Sequence, residues 1–137
     1  MYGKLIFMGD DIMNLQIRTS SIPNRVPCLW EYGISYDTPN RILEDYGITN
    51  KQVVIVIPKD FNRFERLIAR LTGAPRLLRR PLDRLNSALW DLIDGNRTLS
   101  EIIQIMEDCY EEEIIPARQR CSASISKLME LHLVELK

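Results

Sequence analysis

The stretch Leu85–Met106, LNSALWDLIDGNRTLSEIIQIM, decides the fold. Leu85, Ala88, Leu89, Leu92 and Ile93 recur at i, i+3, i+4, i+7 and i+8, which lays one apolar stripe along a helix. Asp83 is placed to cap its start, and Gly95 fits the left-handed position just past its end. Thr98-Leu99-Ser100-Glu101 has the form of a capping box, so a second helix begins there with Leu99, Ile102, Ile103 and Met106 facing inward. Trp90 falls just off the first stripe and is expected at a half-buried core edge. Two helices joined by a tight turn result. The question they pose is whether this pair reads DNA or serves another purpose.

Working outward toward the C-terminus, Pro116 suits the first turn of a third helix. That helix carries Ala117, Cys121, Ile125, Leu128 and Met129 inside, with Arg118, Gln119, Arg120, Ser122, Ser126 and Lys127 outside. Leu133 to Leu136 alternates apolar with polar and predicts a short final strand or wing.

Toward the N-terminus, Arg76 to Leu82 reads as a short strand, with Pro81 at its end or on an edge because proline has no N–H to donate. Asp60 can cap a helix in which Phe61, Phe64, Leu67, Ile68 and Leu71 recur, with Gly73 stopping it. Val53 to Ile57 is β-branched throughout and ends at Pro58, the strongest strand in the sequence. Residues 1–50 are broken by glycines, prolines and small polar residues. Within them Leu5 to Met8 and Cys28 to Tyr32 could be short strands, and Asn40 to Tyr46 one or two helical turns.

The order strand, helix, strand, three helices and terminal strand predicts an α+β, winged-helix-like domain. A small sheet packs on a three-helix bundle, with an extra amphipathic helix between strands. The domain is expected to span 51–137, with 1–50 as a partly irregular N-terminal extension.

The chain has 137 residues, enough for one domain with a sizeable core. Its 45% hydrophobic and 27% charged content are ordinary for a soluble protein, and its net charge of −1 favours no particular partner. The distribution of charge says more. Seven arginines (63, 66, 70, 76, 79, 80 and 84) lie between 63 and 84 against Glu65 and Asp83, whereas eight acids face four bases from Thr98 onward. One face is therefore expected to carry a positive field. Three cysteines (28, 109 and 121) without a C-x-x-C pattern read as free thiols in a reducing compartment. Met1 to Met8 is too short and interrupted for a signal peptide, and no apolar run approaches membrane length, so a cytoplasmic location is expected.

Signals for catalysis are thin. His132 is the sole histidine, and a boundary position at a helix end accounts for it. Glu111 to Glu113 reads as a solvated charge run, and the glycines are too scattered to cradle a phosphate. Neither an enzyme nor a cofactor or metal is expected. A DNA-binding regulator ranks second among the functions. The helix from Thr98 offers only acids to a phosphate backbone, and the more hospitable one from Pro116 is preceded by three glutamates.

The run LDRLNSALWDLIDGNRTLSEI (82–102), followed by LMELHLVEL (128–136), resembles the PqqD-like family, named for pyrroloquinoline-quinone (PQQ) biosynthesis protein D. The matching features are Leu82-Asp83, the aliphatic stripe Leu89 to Ile93, Asp94-Gly95, Arg97-Thr98 and Glu101-Ile102. Trp30-Glu31, Val54 to Pro58 and the Phe61/Phe64 helix resemble a longer-fronted branch of it.

The resemblance implies a non-catalytic adaptor. It would bind the leader of a ribosomally made precursor peptide and present it to a maturation enzyme, often a radical-SAM protein. The leader would be held as an added strand along Arg76, Leu77, Leu78, Arg79, Arg80 and Leu82, against Arg118, Ser122, Ile125 and Met129 of the helix Ala117 to Glu130. An exposed edge supplies backbone hydrogen bonds to such a peptide, and arginines beside it would attract acidic residues. Pro81 removes one donor, so pairing should stop before it. A homodimer through strand exchange or an exposed edge stays open.

Overall fold

Val53 to Ile57 forms the centre of strand β3 (Lys51–Pro58) in the computed structural model, which describes residues 17–36, 41–58 and 77–137. β3 lies between β2 (Leu29–Ser35) and β4 (Leu77–Pro81), antiparallel to both. The first three residues of the apolar run, Val53 to Ile55, are buried on both faces, and Val56 and Ile57 are half-buried. Val53 and Ile55 are fully buried on the side where Trp30 stands opposite Ile55. On the other side Val54 is 9% exposed, with Glu31 opposite it and Arg79 opposite the adjacent Val56. Arg79 and Glu31 form an ion pair, which therefore reaches over β3 from one neighbour to the other.

Four helices occur among the described residues: α1 (Arg41–Asp45), α2 (Arg84–Leu92), α3 (Leu99–Tyr110) and α4 (Ala117–Glu130). The caps form as the sequence predicts. Asp83 accepts from the N–H of Asn86 at 2.8 Å. Thr98 Oγ1 accepts from the Glu101 N–H at 3.2 Å, while Glu101 Oε1 accepts from the Thr98 N–H at 3.0 Å. Between the two helices Asp94 Oδ1 accepts from the N–H groups of Asn96 and Arg97, and Gly95 takes φ +80°. Burial raises the pKa of Asp94, but those two N–H groups and the Arg97 guanidinium together hold it below the usual carboxylate range.

A 3-10 turn (Glu111–Ile114) leads into α4, for which Pro116 is the N-cap residue. β5 (Val134–Leu136) then pairs antiparallel with β1 (Pro23–Arg25) in a separate two-stranded sheet. One continuous cluster of buried apolar side chains runs from Ile17, Leu43 and Ile48 through β3 and α2–α4 to Val134. The class is thus α+β.

Several expectations change. Residues before 51 contribute β1 and β2, so a boundary at residue 50 cuts through both sheets. The final strand pairs with β1, not with the three-stranded sheet. Trp90 is fully buried, not half-buried. It packs 5.9 Å from Trp30, ring centre to ring centre, and both rings flank the Arg25 guanidinium at 5.2 and 5.6 Å. Arg25 Nε donates to the carbonyl of Ile93 at 2.8 Å, which ties β1 to the end of α2. Ser122 and Ser126, expected outside on the third predicted helix, are buried on α4. The expected Leu5–Met8 strand and the helix with Phe61, Phe64, Leu67, Ile68 and Leu71 lie outside the described residues.

Candidate functional site

β4 has one side paired to β3 and, among the described residues, no strand on the other. Which backbone groups point outward follows from the register. The Leu82 N–H donates to the Val53 carbonyl at 2.8 Å. In an antiparallel ladder bonded pairs recur every second residue, so Arg80 and Leu78 turn their N–H and C=O groups to Ile55 and Ile57. Arg79 and Pro81 therefore turn theirs outward. Pro81 stands where its missing N–H interrupts no bond to β3. It also leaves the open edge without a donor there, so Arg79 carries the accessible donor nearest the helices, while the Pro81 carbonyl remains an acceptor.

The opposite edge, β2, exposes Leu29, Tyr32 and Ile34. Its register shifts between Tyr32 and Ser35, an irregularity that protects an edge strand from pairing. Tyr32 Oη donates to Asp91 Oδ1 at 2.8 Å, and Thr49 donates to the same carboxylate through its N–H and Oγ1, so this end of β2 is fastened to α2.

Next to the end of β4 opens a groove of about 500 Å³ between the strand and α4. Pro81, Leu82, Leu128 and Leu131 give it an apolar floor, and the walls include Ala123 and Ser124 of α4. Arg80 from the strand and Lys127 from the helix line it, both exposed, while Asp83 and Asn86 close one end. Local sequence explains the placement. Arg79 and Arg80 alternate across the strand, so the first turns to the outer face and the second toward the groove. On α4, Ala123, Ser124, Lys127, Leu128 and Leu131 share one face because they recur at three- and four-residue spacing.

Of the three described arginines between 63 and 84, two meet carboxylates. Arg79 is held by Glu31. Arg84 is held by Glu113, its guanidinium 5.2 Å from the Tyr110 ring centre. Arg76 lies outside the described residues. Lys127 has Glu130 at 3.5 Å, a contact as exposed as that of Arg79 with Glu31 and of similarly little strength, and among the described residues no ion pair engages Arg80. Among the described residues, the cations that line the groove are Arg80 and Lys127, with the Asp83 carboxylate at one end.

The residues expected to contact a ligand divide accordingly. Arg80 and Leu82 line the groove. Leu78 is 54% exposed on the same strand, and Leu77 begins that strand. The expected face of α4 does not point there. Ser122 and Ile125 are buried, Met129 packs against the core, and Arg118 is exposed but away from the groove lining. The polarity of Ser122 made it look outward, whereas the residues of this helix that do line the groove include Ala123, Ser124 and Lys127, with Leu131 just beyond its end.

Chemistry elsewhere is sparse. Among the described residues no group of three or more His, Cys, Asp or Glu side chains could hold a metal ion, and no helix is long and apolar enough to cross a membrane. His132 is exposed just beyond α4 with φ +59°. The thiols are free, and burial pushes Cys121 up to about 11.

Comparison with models of known families, with curated proteins and with solved structures finds no match to this chain.

Proposed function

We propose that the protein is a non-catalytic, winged-helix-like adaptor that holds an extended, acidic segment of a precursor peptide along β4 and in the groove against α4. The observation carrying this reading is the adjacency of a strand edge that is unpaired among the described residues, an apolar floor and two cations, Arg80 and Lys127. An extended peptide added to β4 gains backbone bonds at Arg79, while the floor beyond takes apolar side chains and the cations attract carboxylates. The resemblance to the PqqD-like family adds the expected source of the peptide, a leader sequence. It also adds the expected recipient, a modifying enzyme such as a radical-SAM protein.

The DNA-binding alternative has less support. The exposed side of α3 offers Glu101, Gln104, Glu107 and Asp108. On α4, Arg120 Nη1 donates to the carbonyl of Glu113, inside the acidic run that precedes the helix. Phosphate contacts supply most non-specific affinity for DNA, and this surface opposes them.

Titration of the 15N-labelled protein with acidic leader peptides tests the proposal. Amide shifts should concentrate in residues 77–82 and 123–131. Shifts confined to α3 or the exposed β2 residues, or none at millimolar peptide, would count decisively against it.

A further inference from the structure

A second, smaller cavity of about 30 Å³ lies farther along the seam between α2 and α4. It shares Asn86 and Ser124 with the groove, and its deep wall consists of the buried core residues Leu89, Met106, Ile114 and Cys121. Such a volume is on the order of one water or a methyl group. The cavity is apolar inside and polar at the mouth. Asn86 and Ser124 are half-buried, and no hydrogen bond engages either side chain among the described residues, since only the Asn86 backbone N–H is used by its cap.

We infer that this cavity is an anchor subsite that takes one small side chain, of alanine or serine size, from an extended peptide lying in the groove. The inference rests on the reading of the groove as a peptide site and adds to it which residue the site selects. Backbone pairing on β4 runs out at Pro81, so a peptide continuing past that point needs other partners. The Asn86 amide offers both a donor and an acceptor to a peptide unit there, and the Ser124 hydroxyl offers a second group. The peptide main chain is then held over the mouth, and only a short side chain fits beneath it.

Larger side chains are excluded because the deep wall is already close-packed core, and enlarging the cavity would displace Met106 or Ile114. Spacing follows from the helix. Arg120 and Cys121 line the cavity, while Lys127 and Leu128 line the groove seven residues later, about 10 Å along the axis. Extended chain covers that distance in about three residues, so the small residue lies about three positions from the carboxylate beside Arg80 and Lys127.

A displayed library of random ten-residue peptides, selected on the full-length protein, provides the probe. Selected peptides should carry an Ala, Ser or Gly about three positions from an Asp or Glu. Replacing that small residue by Leu should weaken binding roughly 10- to 200-fold in calorimetry, the usual range for one misfitted group in an apolar pocket. Asn86→Ala should weaken the parent peptides. Ser124→Leu, on a half-exposed helix position where folding is checked by circular dichroism, should abolish the preference for a small residue. Selected peptides that shift the amides of 77–82 and 127–131 but tolerate Leu at every position would overturn the anchor subsite and leave the groove intact. A selection that yields no peptide bound at the groove would overturn both.

Discussion

At Gly95 the backbone takes φ +80°, and a Cβ there would lie 2.5 Å from Asn24 Oδ1 and 3.5 Å from Lys137 Nζ. Gly47 has almost the same φ, +81°, with nothing within 4 Å of its absent Cβ. The pair separates backbone strain from packing. A left-handed residue with a side chain costs about 1–2 kcal/mol, so Gly47→Ala should lose about that in urea denaturation. Gly95→Ala should lose more, because Asn24 in β1 must move as well; equal losses would show that the β1 contact is slack. Cys121 permits a second test at this scale. Its thiol, pushed up to about 11 from 9.0 by burial, has about a hundredfold less thiolate at neutral pH than an unperturbed cysteine. Iodoacetamide followed by peptide mass mapping should therefore modify half-exposed Cys28 and Cys109 well before Cys121, until denaturant equalises the three.

Between strand and helix the decisive joint is Ser87, 1% exposed on α2. Its hydroxyl accepts from the N–H of Val53 at 2.9 Å and donates to the Leu82 carbonyl, continuing the β3–β4 ladder where β4 has ended. Ser87→Ala leaves a buried N–H without a partner, which costs about 1–3 kcal/mol. The loss should appear as a lower denaturation midpoint, and hydrogen exchange should become faster at Val53 than at Ile57; unchanged exchange at Val53 would refute this role. Elements of this kind were only partly legible. The helix with Asp83 at its start and the one opened by the Thr98/Glu101 box were readable because caps and apolar periods are local signals. The same holds for β3, whose β-branched run spans consecutive residues. β1 was not readable, since Pro23 finds its partner Leu136 across almost the whole chain. On α4 the inner stripe of Ala117, Cys121, Ile125 and Leu128 was legible from its spacing, but Ser122 and Ser126, which polarity places outside, are buried beside it.

Across the whole molecule, the fold pairs two of the arginines that the sequence gathers between 63 and 84. Glu31 and Glu113 come from distant segments to engage Arg79 and Arg84, which no count of arginines could reveal. Among the described residues the cations lining the groove are Arg80 and Lys127, so its preference for acidic peptides should depend on those two residues and on salt. Exposed charge contacts contribute about 0.2–1 kcal/mol each, and reversing a charge converts attraction into repulsion of similar size. Arg80→Glu combined with Lys127→Glu should then weaken an acidic peptide on the order of tenfold at low salt. The gap should narrow at 0.5 M salt, where the Debye length falls well below its value of about 8 Å at physiological ionic strength. The double variant should fold normally, because both side chains are exposed. It should also bind a peptide whose acids are changed to lysines better than the original protein does. This exchange of preference is the informative outcome, since general damage to the groove would weaken both peptides alike. Equal weakening of both at low salt would show that shape and backbone pairing, not charge, govern what lies beside β4.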